Sequence, residues 1–201
     1  MPQTVLPLTV SALIGYLLGC SNMALYISKL KGIDLRQTGS KNLGASNTFL
    51  TFGMGWAALV FLHDAGKAAL AIFLSQRLFP DLPAVGYVAG AAAVLGHMFP
   101  FYLRFRGGKG FAAYLGTILM LNWRFGLVML LVVAAITLLT NYIVIGTVTT
   151  VTVYPIFTAF MTRSVIAVAV LSLASLVILW KHRENYTRIA NGTEPGLFKK
   201  T

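Results

Sequence analysis

Apolar runs follow one another along almost the whole chain, at about 4–29, 52–77, 84–99, 110–122, 125–140, 143–161 and 164–180. A helix of about 20 apolar residues crosses the hydrocarbon core of a bilayer, and lipid forces every backbone N–H and C=O to be bonded within the protein. The pattern predicts an all-α integral membrane protein with seven transmembrane helices. The fourth run is short and is expected to tilt or stop part way. Composition agrees: 57% of residues are hydrophobic and 10% are charged, where a soluble domain carries about 25% charged residues. With a mean hydropathy of +0.78 and 201 residues, there is no room for a separate soluble domain. Residues 1–201 read as a single polytopic domain.

Charge sets the expected orientation. Sixteen Lys and Arg stand against five Asp and Glu, a formal net charge of +11. With the N-terminus outside, the inside segments hold Lys29, Lys31, Arg36 and Lys41, then Arg104, Arg106 and Lys109, then Lys181, Arg183, Arg188, Lys199 and Lys200. The outside segments hold only Arg77, Arg124 and Arg163, while Lys67 falls within the second run. This bias predicts an outside N-terminus and a cytoplasmic C-terminus. It also puts both glycine-rich basic loops on the cytoplasmic face. The basic residues flank membrane runs rather than forming a soluble face, which excludes nucleic acid and suggests an anionic partner or lipid. The lone Cys20 excludes a disulfide framework. No Lys or Arg precedes Lys29, so the first run is expected to be a retained span rather than a cleaved signal peptide.

Two loops carry the chemistry. The first, KGIDLRQTGSKNLGASN over 31–47, combines Arg36 and Lys41 with Gly32, Gly39 and Gly44 and with the donors Thr38, Ser40, Asn42, Ser46 and Asn47. Glycine lets backbone N–H groups converge, small polar side chains add neutral donors, and Arg adds a planar charged fork. Those are the requirements of a phosphate site. Ser46 or Asn47 is expected to cap the next helix. The second loop, GHMFPFYLRFRGGKG over 96–110, has Gly107, Gly108 and Gly110 beside Arg104, Arg106 and Lys109, with His97 before the turn at Pro100. Either loop alone also reads as a topology signal. Two on one face favour a pair of anion cradles. Asp64 and Lys67, three residues apart within the second run, read equally as a buried ion pair or as functional groups.

Other motifs fail on spacing. Leu103 stands where the P-loop needs its first glycine, and Gly110 where it needs Ser or Thr. There is no GxGxxG fingerprint. His63, His97 and His182 are scattered without metal-ligand spacing, so no metal is expected. Neither four nor five residues beyond any histidine is there an Asp.

The segments GIDLRQTGSKNLGASN, GHMFPFYLRFRGGKGFA and KHRENYTRIANGTE resemble the first motif, the second motif and the C-terminal signature of the bacterial acyl-phosphate:glycerol-3-phosphate acyltransferases, the PlsY family, and the likeness extends over nearly the whole chain. The resemblance implies seven membrane helices in the bacterial cytoplasmic membrane and an active site facing the cytoplasm. It implies transfer of a fatty acyl group from acyl-phosphate to the 1-hydroxyl of glycerol 3-phosphate, giving lysophosphatidic acid and phosphate. No cofactor, metal or covalent acyl-enzyme is implied; a donor phosphate oxygen takes the hydroxyl proton. Carried over by motif, Ser40, Asn42, Gly44, Asn47, Gly107 and Gly108 would hold the acyl-phosphate. Arg36, Lys109, His182, Arg183 and Glu184 would hold glycerol 3-phosphate, and Lys109, His97, Asn185 and Thr147 would serve catalysis. Asp64 and Lys67 match a membrane-embedded Asp and Lys of the family.

The chain departs from the family pattern in two places. After the fifth run, NYIVIGTV puts Asn141 where the family has Arg, and Val144 and Thr147 where it has Ser. In the first run, Gly19-Cys20-Ser21-Asn22-Met23-Ala24 replaces Gly-Ser-x-x-Phe-Gly. Three readings compete for these changes. They are an ordinary enzyme with a compensating group such as Thr147, a paralogue acylating a different phosphorylated acceptor, or a member that binds phosphorylated lipids or metabolites with little catalysis.

Overall fold

The computed structural model describes residues 2–197, and these are helical without any strand. The helices are α1 (Pro2–Cys20), α2 (Met23–Lys31), α3 (Ala45–Phe52), α4 (Met54–Leu78), α5 (Ala84–Met98), α6 (Phe111–Leu121), α7 (Trp123–Thr140), α8 (Ile143–Thr162), α9 (Val165–Lys181) and α10 (Arg183–Ala190), with a short 3₁₀ turn at Phe101–Leu103.

Each expected apolar run is helical, but the runs are not equal. Among the described residues, five helical stretches are long and apolar enough to cross a membrane: Thr4–Lys31, Met54–Leu78, Ala84–Leu103, Trp123–Thr140 and Ile143–Thr162. Helix α9 joins α10 across a 44° bend and makes a sixth if the pair counts as one span. Helix α6 has 11 residues, about 16 Å at 1.5 Å per residue, roughly half of a ~30 Å core.

Two breaks were not foreseen. The first span is interrupted at Ser21–Asn22, where the Asn22 side chain caps α2 by accepting from the Leu25 N–H at 2.9 Å. The stretch before α4 forms a separate helix, α3, whose cap is Gly44 with no side-chain bond. Asn47 therefore lies inside α3, and neither it nor Ser46 is the cap. Gly53, at φ 87°, ends α3 and starts α4.

In lipid, helices associate by close packing and not by escape from water, so small residues mark the contacts. Helix α5 packs along α1, α4, α6 and α9, and its alanines and glycines allow that crowding. A Cβ on Gly15 would lie 2.2 Å from the Ala89 carbonyl oxygen, and one on Gly19 2.2 Å from that of Ala93. On the far side Tyr114 and Tyr154, both fully buried, meet edge to face, and the Tyr114 hydroxyl bonds Ser175 at 2.8 Å. This close-packed centre delivers the end of α5, and with it His97, to the two glycine-rich basic loops.

Candidate functional site

The 35–47 loop is organised by one side chain. Asn47 is fully buried. Its amide nitrogen donates to the carbonyls of Leu35, Thr38 and Asn42 at 2.8, 3.0 and 3.0 Å, and its oxygen accepts from the Ser40 N–H at 2.7 Å. Gly39, at φ 60°, passes so close that a Cβ would lie 2.3 Å from the Asn47 Oδ1. The loop is thus wrapped around Asn47, and Ser40, Asn42 and Gly44 face an open cavity.

The glycine pair of the second loop is used in the same structural way. The N–H groups of Gly107 and Gly108 donate to the carbonyls of Met98 and His97, each at 3.1 Å, closing the end of α5. A Cβ on Gly108 would sit 2.1 Å from His97 Nε2. Lys109 emerges immediately after, and Gly110, at φ 91°, turns the chain into α6.

Lys109 belongs to a chain of polar contacts reaching into the tail. Its ammonium donates to the Asn185 Oδ1. The Asn185 amide nitrogen donates to Glu194 Oε1 at 2.5 Å, and Arg188 Nε donates to Glu194 Oε2 at 2.7 Å. Burial, and then the charge of Arg188, push the Lys109 ammonium down to about 8. His182 donates Nδ1–H to the Ile178 carbonyl at 2.8 Å, which leaves the Nε2 lone pair of the neutral ring for other partners. The tail then folds back: the Leu197 N–H donates to the Asn141 carbonyl at 3.1 Å.

Below these loops lies a buried ionic cluster. Lys67 Nζ donates to the Ser21 carbonyl at 2.6 Å, to Asp64 Oδ1 at 2.9 Å and to His97 Nδ1 at 2.9 Å. His63 Nδ1 lies 3.3 Å from the same Asp64 oxygen, and its Nε2 bonds Ser21 Oγ at 3.0 Å.

These elements surround one cavity of about 460 Å³. Ser40, Asn42, Gly44, His97, Lys109, Thr147, His182 and Asn185, all expected site residues, line it. Its remaining walls are largely apolar, with Leu50, Phe61, Leu115, Leu130, Val133 and Val144. The space fits an amphiphile with an anionic head.

Six expected residues do not line the cavity, each for a visible reason. Asn47, Gly107 and Gly108 spend their polar groups on the scaffold. Arg36 folds onto Asp34 through paired bonds from Nε and Nη2, both 2.9 Å, and those bonds hold the Asp34 carboxyl below its usual range. Arg183 lies over the Trp180 ring, 4.4 Å from its centre. Glu184 is exposed and 3.9 Å from Arg188. Thr147 lines the cavity, but its hydroxyl donates to the Ile143 carbonyl at 3.1 Å, so its proton is already committed. Glu194 and Arg188 were missed. The signal was there: Glu194 is one of only five acidic residues, and it stands in a basic tail.

Among known proteins, the family model described as "Glycerol-3-phosphate acyltransferase" matches residues 9–192. The glycerol-3-phosphate acyltransferase of Synechococcus sp. (strain CC9902) is 40% identical over 93% of this chain and 94% of its own. That of Dinoroseobacter shibae is 40% identical over 100% and 99%. The crystal structure of PlsY, an integral membrane glycerol 3-phosphate acyltransferase, in its glycerol 3-phosphate form superimposes with a TM-score of 0.87 at 31% identity, covering 96% of this chain and 99% of that one. Its lysophosphatidic acid form gives 0.84 at 30% identity, covering 94% of each.

Proposed function

Because this chain belongs to the PlsY-type glycerol-3-phosphate acyltransferase family, we propose that its cavity is where an acyl group passes from acyl-phosphate to glycerol 3-phosphate. The chain is a multi-pass membrane acyltransferase, and glycerol 3-phosphate is its acceptor. One observation carries the site assignment. Lys109, His182 and Asn185 line the same cavity as Ser40 and Asn42, and much of its remaining wall is apolar.

The division of labour follows from the geometry. Ser40, Asn42 and the chain at Gly44 receive the acyl-phosphate head, and the apolar walls receive its tail. Lys109 attracts the phosphate of glycerol 3-phosphate, with Asn185 setting the direction of the Lys109 ammonium, and the His182 Nε2 lone pair accepts from a glycerol hydroxyl. The acceptor 1-hydroxyl oxygen attacks the acyl carbon, and the bond from that carbon to the phosphate oxygen breaks. Phosphate leaves carrying the hydroxyl proton. That scheme forms no acyl-enzyme and calls for no metal or cofactor. Holding two anions together in attack geometry offsets much of the entropic barrier.

The same reading supplies the topology. Helix α6 counts as a seventh, half-depth segment, the N-terminus lies outside, and the site opens to the cytoplasm of a bacterial plasma membrane. The twelve-to-three bias in flanking Lys and Arg supports this.

A second reading has one observation in its favour. Val144 lacks a hydroxyl, and the Thr147 proton is bonded within its own helix, so the α8 wall lacks the donors the family pattern would put there. A paralogue acting on another phosphorylated acceptor would differ in this way. Phosphate release from palmitoyl-phosphate, with and without glycerol 3-phosphate, tests the main reading in the wild type and in Lys109→Ala. Release that depends on glycerol 3-phosphate and vanishes in the variant is expected. Release only with another phosphorylated polyol would replace this acceptor assignment.

A further inference from the structure

The Asp64–Lys67 pair is buried, with Asp64 at the wall of the cavity, and the transfer scheme above gives it no task. Its geometry defines one. An ammonium has three N–H donors and no acceptor. Lys67 spends all three: on the Ser21 carbonyl at 2.6 Å, on Asp64 Oδ1 at 2.9 Å and on His97 Nδ1 at 2.9 Å. Two N–H groups cannot point at each other across 2.9 Å, so His97 Nδ1 faces Lys67 with its lone pair. The ring is then neutral, and its only proton is on Nε2.

We propose that Lys67, anchored by Asp64 and the Ser21 carbonyl, is a positioning residue that fixes His97 as the Nε2–H tautomer and so makes it a hydrogen-bond donor in the transfer site.

The consequence is chemical. His97 is buried and lines the cavity, and its Nε2 edge lies beside Gly108. With the proton there, His97 cannot act as a general base toward the acceptor hydroxyl. It offers an N–H to a phosphate or to the oxyanion that develops on the acyl carbonyl. The two cavity histidines are thus set oppositely: His97 presents a proton, and His182, whose Nδ1–H is tied to Ile178, presents a lone pair.

The competing arrangement is visible. Asp64 Oδ1 lies 3.3 Å from His97 Nδ1, so the ring would instead donate Nδ1–H to the carboxylate and present Nε2 as a base. Two distances favour the first arrangement. Lys67 is nearer to the imidazole, and Asp64 Oδ1 already accepts from Lys67 at 2.9 Å and faces His63 Nδ1 at 3.3 Å.

Nitrogen-15 NMR of the full chain in lipid nanodiscs, with labelled histidine and the His97 signal assigned by its loss in His97→Asn, reads the tautomer without substrate. The expected result is a neutral ring protonated on Nε2. A ring protonated on Nδ1, or on both nitrogens, overturns the proposal. In Lys67→Met the proton is expected to move to Nδ1, toward Asp64. An unchanged tautomer there also overturns it. The same variant is expected to lose about 10²–10³-fold in kcat, the loss typical of one transition-state donor. KM for glycerol 3-phosphate should stay within about twofold, and unchanged kcat would refute the positioning role. Should Lys67→Met fail to fold, the wild-type spectrum decides alone. The inference rests on the cavity being the transfer site. An Nε2–H ring in a protein that releases no phosphate with either substrate would sink that reading and leave the tautomer assignment standing.

Discussion

Replacing Asn47 with Ala tests whether the first cradle is shaped by a buried side chain that never touches substrate. The substitution removes the partner of three carbonyls and of the Ser40 N–H. The Leu35 carbonyl is buried, and an unpaired buried acceptor costs about 1–3 kcal/mol, while each of the others, reachable by water, loses a net ~0.5–1 kcal/mol. The loss is then about 2.5–6 kcal/mol, concentrated in one loop, or roughly 10²–10⁴-fold in the population of its closed form at 1.4 kcal/mol per tenfold. Hydrogen exchange on peptides spanning residues 36–43 should rise by that order, and KM for the acyl-phosphate should rise with it. Asn47→Asp should be worse than Ala, because it aims a carboxylate at three carbonyl oxygens. Normal exchange in Asn47→Ala together with a raised donor KM would refute the argument and make Asn47 a direct ligand.

Other perturbations follow the same logic. Glu194→Ala removes the acceptor of both Arg188 Nε and the Asn185 amide, a charged bond being worth about 1.5–3 kcal/mol, and frees Asn185 to turn. KM for glycerol 3-phosphate should rise about tenfold with the donor KM unchanged, as steady-state kinetics will show. Lys109 is cationic below about 8 and neutral above it, so affinity for the anionic acceptor should fall as pH rises through 8. Lys109→Arg, which stays charged, should remove that fall in a binding titration, whatever it does to turnover. Val144→Ser returns a hydroxyl to the α8 wall. Turnover with glycerol 3-phosphate should rise, by up to about 10²-fold if the hydroxyl meets developing charge, and an unchanged rate would favour another acceptor.

The membrane class and the helices were legible because apolar length is dictated by the bilayer, and the cradles because glycine, hydroxyl and cation cluster where anions bind. The inward-facing groups Ser40, Asn42, Lys109, His182 and Asn185 were readable from residue type and motif. The finer division was not. Whether Asn47 faces a ligand or its own loop depends on where four backbone groups lie, and no local pattern encodes that. Arg36 and Arg183 look like phosphate forks in sequence, yet one turns onto Asp34 and the other onto Trp180. The break at Ser21–Asn22 was hidden inside an apolar run, since one Asn among so many apolar residues leaves periodicity intact.

That break acts as a substitute for water. Water would surround an ammonium with oxygen atoms, and hydrocarbon offers none. Capping by Asn22 takes the Leu25 N–H that a continuous helix would give to the Ser21 carbonyl, and this oxygen turns to Lys67 instead. With Asp64 and His97 it completes a dry solvation shell built from three separate segments. Closing the break in the first span would remove one member of that shell and strand a charge in a low-dielectric interior, at a cost of several kcal/mol. The break between α1 and α2 and the charge on α4 are therefore one feature, and neither can be engineered alone.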